Sequence, residues 1–135
     1  MPMIARDWNM LIATLLGMFP NAIVIVNTLY DPTEGTGTFG GYDVAGPWED
    51  IAEMYSYGRG FLSEHITRAV GEANIPRLLL ADVRGRFEGH GVTTEEENRW
   101  YWREFMIEPN AEGARQISDL WMETLARVVE PAFSR

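Results

Sequence analysis

The chain contains no cysteine and no lysine. The first absence excludes disulfide staples, thiolate nucleophiles and cysteine-based metal sites, while leaving the redox compartment open. The second removes Schiff-base chemistry and a lysine of the phosphate-loop type, because all 11 basic residues are arginine. A GC-rich coding bias is the simplest cause of that substitution pattern. Positive charge is scarce overall: 20 acidic residues leave a formal net charge of -9. A phosphate backbone would be repelled by such a chain, so no nucleic-acid partner is expected. No apolar run approaches the roughly 20 residues that a membrane span needs. The N-terminus also lacks the basic region, long apolar core and small-residue cleavage site of a secretory signal, which makes a cytoplasmic location the expectation.

What is present suffices for one domain. At 135 residues, with 46% of them hydrophobic, the chain can bury a core without covalent help. Its organising stretch is Leu78-Leu79-Leu80-Ala81-Asp82, an apolar run that stops at an aspartate and leads through Val83 to Glu88 into Gly89-His90-Gly91. A run without apolar and polar alternation suits a parallel strand covered on both faces. Ala22 to Leu29 reads the same way, β-branched and continuous. Ligand sites in open α/β sheets lie beyond the carboxyl ends of such strands, which directs attention to Asp82 and His90.

Helices are expected on either side of these strands. Trp8, Leu11, Ile12, Leu15 and Phe19 recur at helical spacing from about Ile4 to Met18, and Pro20-Asn21 ends that stripe. Gly46-Pro47 signals a helix start, with Glu49 and Asp50 in its first turn, running to about Ala73. His65 falls on its apolar stripe with Trp48, Ile51, Tyr55, Leu62, Ile66 and Ala69, where a lone histidine reads as a hydrogen-bonded core residue before it reads as a catalyst. Ser56 lacks the glycine two residues earlier that a nucleophile elbow requires, because Met54 holds that place. Thr94-Glu95-Glu96-Glu97 has the form of a capping box opening an aromatic helix through Trp100, Tyr101, Trp102 and Phe105. Asn110 then caps a final helix bearing Ala114, Ile117, Leu120, Trp121, Leu125 and Val128.

The long loop from Asp31 to Asp43 is broken by glycines and a proline. Asp31, Glu34 and Asp43 could offer oxygens to a hard cation, but their spacing does not match a calcium loop, so neither a metal nor any other cofactor is expected.

The order of elements, together with Val24 through Thr33, Asp82 through Gly91 and Ile107 through Ala114, resembles the C-terminal half of SGNH (GDSL-type) serine hydrolases. These stretches span most of the chain but only about half of the family's fold. The resemblance implies a three-layer α/β/α sandwich with parallel strands, a partial flavodoxin-like arrangement, and carboxylic-ester hydrolysis of a small-molecule ester. It also implies two departures. The family's Gly-Asp-Ser nucleophile block and its glycine and asparagine oxyanion blocks have no counterpart here. The Asp-x-x-His that the family places before a proline is replaced by Phe105 and Glu108. On this reading His90 is the displaced general base, with Asp82 or Glu108 orienting its other ring nitrogen. The alternative is a noncatalytic half-domain serving assembly or binding. A cation- or carbohydrate-binding module built on the acidic loop and the aromatics is a third. Two strands alone would leave open sheet edges, so a homo-oligomer is expected, a twofold dimer with an apolar interface above about 2,000 Å².

Overall fold

A computed structural model describes residues 2–36, 48–103 and 107–133. Its elements run α1 (Pro2–Met18), β1 (Val24–Asn27), α2 (Trp48–Ala73), β2 (Leu78–Ala81), α3 (Val83–Phe87) and α4 (Ala111–Phe133), with one 3-10 turn at Glu96–Asn98. Among the described residues, helix and strand are mixed around a two-stranded parallel sheet. No helix among the described residues is long and apolar enough to cross a membrane.

Both expected strands form; β1 is shorter than the 22–29 run, and β2 coincides with the apolar run Leu78–Ala81. Val24 pairs with Leu78 and Asn27 with Ala81, and the last ladder bond joins Thr28 N–H to the Ala81 carbonyl. Pairing stops there because Asp82 turns away to open α3. Parallel strands cannot be joined by a hairpin, and α2 forms part of the long connection between them.

Alternate strand residues enter two apolar clusters. Val24, Val26, Leu78 and Leu80 pack with Trp8, Ile12, Leu15 and Leu16 of α1 and Leu62, Ile66 and Val70 of α2. Ile25 and Ala81 pack with Val83 and Phe87 of α3, Val92, Tyr101 and Leu120 of α4. Burial on two faces is the reason these strands read as unbroken apolar runs. Arg77, at the entrance to β2, donates to the carbonyls of Leu16, Phe19 and Ala22. It thereby satisfies carbonyls freed at the end of α1 and fixes the turn into β1.

Three expectations need correction. The segment after Thr94 is not an aromatic helix: only Glu96–Asn98 forms a 3-10 turn, and Tyr101 makes an isolated antiparallel bridge with Pro109. Thr94 Oγ1 bonds back to the Gly89 carbonyl rather than capping the turn. Backbone groups that a helix would use are taken elsewhere, Trp100 N–H by the His90 carbonyl and Trp100 O by Asn110 N–H. Second, Val83–Phe87 is helical, where the sequence suggested a strand running straight into a loop. Third, His65 is half-buried between α1 and α2. Its Nε2 lies 2.9 Å from Asn9 Oδ1, and its ring meets Trp8 edge-on. Pro47, Asp43, Phe105 and the Gly37–Gly46 part of the loop lie outside the described residues.

The final helix begins as expected. Asn110 Oδ1 accepts from Gly113 N–H, the N-cap bond, while its Nδ2 donates to the Arg99 carbonyl. One side chain thus starts α4 and ties the 99–101 stretch to it. Gly113 lies against the Trp100 carbonyl so closely that an added Cβ would come well under 3.0 Å from it. The Pro-Asn-x-x-Gly spacing is therefore a docking device for α4.

Candidate functional site

The carboxyl ends of the paired strands deliver Thr28 and Asp82 to one place. Thr28 Oγ1 donates to Asp82 Oδ1 at 2.7 Å and accepts from Arg84 N–H at 2.8 Å. Asp82 Oδ1 also accepts from Gly85 N–H at 3.2 Å, making Asp82 the N-cap of α3. Gly85 is required here, because a Cβ would collide with the Asp82 carboxylate. Thr28 is the first polar position after β1's paired residues, as Asp82 is after β2. That parity was the available signal for Thr28, which sequence reasoning missed.

These residues floor a cleft of about 750 Å³, lined also by Asp31, Glu34, Ser63, Arg68, Arg84 and Glu88. Its size and its place beyond strand ends are those of a small-molecule site. Asp31 is buried, and its carboxylate braces its own turn: Oδ1 accepts from Thr33 N–H and Thr33 Oγ1, and Oδ2 from Gly35 N–H. Arg84 Nη2 stands 3.6 Å from Asp31 Oδ2, and the guanidinium lies beside Gly60 of α2, where an added Cβ would meet it at ordinary van der Waals distance. Asp31 and Glu34 are thus engaged by protein donors, and no cluster of metal-ligating side chains occurs among the described residues. Ser63 is buried at the wall. Its Oγ accepts from Leu29 N–H at 2.9 Å and lies 3.3 Å from the Leu29 carbonyl. It fastens α2 to the end of β1.

His90 does not line this cleft. It sits around the corner from Phe87 and Glu88, in the turn that follows α3. Its ring stacks on Trp100 at 3.5 Å with 4° between the planes, and Nδ1 is 2.6 Å from the Asn98 carbonyl. A carbonyl can only accept, so Nδ1 carries the proton. In the neutral ring Nε2 is then the basic nitrogen, and it has no hydrogen-bond partner among the described residues. The orienting group is therefore a backbone carbonyl. Asp82 spends its bonds on Thr28 and Gly85, and the exposed Glu108 contributes its carbonyl to Trp102 N–H. Neither carboxylate is hydrogen-bonded to His90.

One strongly shifted acid is Glu112, in the first turn of α4. Its carboxyl is lowered from 4.5 to about 2, chiefly by hydrogen bonds from Arg115 and then Gln116, with the charge of Arg115 and a smaller contribution from His90 acting the same way. No protein-family model, no curated protein sequence and no solved structure matches this chain.

Proposed function

We propose that this chain is an SGNH-like carboxylic-ester hydrolase half-fold, in which His90 Nε2 is the general base beside the cleft at the strand ends. The observation that carries this reading is the pinned tautomer of His90: a backbone carbonyl fixes the proton on Nδ1 and leaves the Nε2 lone pair without a hydrogen bond among the described residues. In the proposed step Nε2 takes the proton of an attacking water or hydroxyl as its oxygen bonds to the ester carbonyl carbon. The same proton passes to the departing alkoxide when the C–O bond breaks. Asp82 and Thr28 shape the cleft floor, and Glu108 is assigned no contact with the base. The partial three-layer, flavodoxin-like arrangement belongs to this proposal, as does a cytoplasmic location.

The test is hydrolysis of short p-nitrophenyl esters by the purified chain, with a fluorophosphonate probe to detect an activated hydroxyl. Wild type should hydrolyse, and His90→Ala should lose at least about 100-fold in kcat, the usual contribution of a general base. Equal rates in the two proteins would remove His90 from the mechanism.

A second reading, a noncatalytic assembly module, draws on the open sheet. Among the described residues β1 and β2 pair only with each other. Phe19 and Ile23 beside β1, and Trp121, whose Nε1 donates to Asn27 Oδ1, are exposed. Met3, Met10, Leu11 and Met18 form a further exposed apolar stripe on α1. The partner on this reading is a second copy of the chain, joined as a twofold dimer. Light scattering across micromolar concentrations, with melting temperatures that rise with concentration, is the expected result. A monomer with a concentration-independent melt would count against it.

A further inference from the structure

We propose that Glu34 is the positioning residue of the loop carrying His90, an assignment that rests on His90 being the base. Glu34 occupies left-handed backbone, φ 52°, followed by Gly35 at φ 81°. Non-glycine residues hold such a conformation only where their surroundings determine it. Here the surroundings are the Asp31 turn. Its carboxylate holds Thr33 and Gly35 from below, and Glu34 N–H bonds the Asp31 carbonyl at 3.1 Å. The backbone so fixed throws the Glu34 side chain across to the Gly89-His90-Gly91 turn.

Two contacts meet it there. Glu34 Oε1 accepts from Gly89 N–H at 2.5 Å, a charge-assisted bond. Its side chain then lies over Gly91, where a Cβ would come within 2.6 to 2.8 Å of Glu34 Cγ, Cδ and Oε2. Gly89 needs its own freedom, at φ 85°. Pro32 O accepts from Val92 N–H at 2.9 Å, so the same turn grips the His90 loop on its other flank. His90 is therefore held between two attachments to one rigid turn, and Glu34 is the residue common to that grip and to the cleft wall.

The experiment uses the full chain, isotope-labelled for NMR, with wild type compared with Glu34→Ala, Glu34→Gln, Gly91→Ala and the Glu34→Ala/Gly91→Ala double variant. In Glu34→Ala the Gly89 amide should lose about tenfold or more of its exchange protection, the scale of one lost bond to a charged acceptor. The His90 ring protons, shifted upfield by the Trp100 face, should move toward free-histidine positions. The signals of His65, the other histidine, should stay unchanged. Glu34→Gln should keep both readings near wild type, because its amide oxygen still accepts. Gly91→Ala should reproduce Glu34→Ala by expelling a chemically intact carboxylate, and the double variant should be no worse than either single one. Where wild type hydrolyses p-nitrophenyl acetate, Glu34→Ala should lower kcat and leave KM unchanged. Unchanged Gly89 exchange and His90 shifts in Glu34→Ala would overturn the assignment. A wild type without esterase activity would overturn the hydrolase reading, and the two NMR readings would still decide the clasp.

Discussion

Gly113→Ala should destabilise this protein, although alanine is the better helix former. Gly113 is the third residue of α4, and a Cβ there meets the Trp100 carbonyl well under 3.0 Å, Pro109 Cβ at 3.0 Å and Phe87 Cε1 at 3.3 Å. The nearest obstacle is backbone, and it cannot swing aside. Trp100 O is bonded to Asn110 N–H, its neighbour Tyr101 bridges Pro109, and Asn110 Nδ2 holds the Arg99 carbonyl. Overpacking of this kind costs about 1 to 3 kcal/mol. Displacing α4 from the Asn110 cap adds about 1 kcal/mol. The propensity gain from glycine to alanine offsets at most about 1 kcal/mol. The net loss is about 1 to 3 kcal/mol, or a melting temperature lower by about 4 to 11 °C for a domain of this size. Gly71→Ala is the matched control, because nothing lies within 4 Å of its added Cβ in α2. It should gain about 0.5 to 1 kcal/mol. Equilibrium urea unfolding followed by circular dichroism measures both. Equal midpoints for the two variants would refute the claimed closeness of α4 to the Trp100 carbonyl.

Arg77→Ala should cost about 1.5 to 3 kcal/mol by urea unfolding, because carbonyls at the end of α1 lose a charged donor; a midpoint equal to wild type would show that water replaces it freely. His65→Ala should cost only about 1 to 2 kcal/mol, below a full core deletion, since the ring is half-buried and loses one hydrogen bond and the Trp8 edge contact. The Glu112 carboxyl should titrate at about 2 by carbon-detected NMR and return toward 4.5 in Arg115→Ala. Because its folded value is depressed, its stabilising contribution is present above about 4.5 and is lost as pH falls through about 2. Nitrogen NMR of the imidazole should find the His90 proton on Nδ1 at pH values where the ring is neutral; a proton on Nε2 would contradict the Asn98 carbonyl contact.

The elements that the sequence alone determined are those whose signals are local or periodic. β1 and β2 were legible because burial on both faces forces unbroken apolar runs, and α1, α2 and α4 because one buried face imposes helical spacing. Asn110 announced the start of α4 because an N-cap bond reaches only three residues, to Gly113. The first polar residue after β2, Asp82, marked a strand end and with it part of the cleft floor.

Tertiary structure decided the rest, through backbone groups whose partners are distant in sequence. The Trp100 to Tyr101 stretch carries aromatics and follows an apparent capping box, yet it is not helical, because Trp100 spends its N–H on His90 and its carbonyl on Asn110. No local pattern encodes that competition. The five-residue α3 contains Gly85, a poor helix former, and exists because Asp82 caps it while Thr28, 54 residues earlier, holds the Asp82 carboxylate. His90 was visible as a glycine-flanked histidine. Its proton position was not, because that depends on a carbonyl at Asn98 and a ring at Trp100 brought together by the fold. Glu34 read as one acid among several in a loop. Only the approach of Gly89 and Gly91 gave its carboxylate a partner, since a side chain's hydrogen bond depends on where another segment passes.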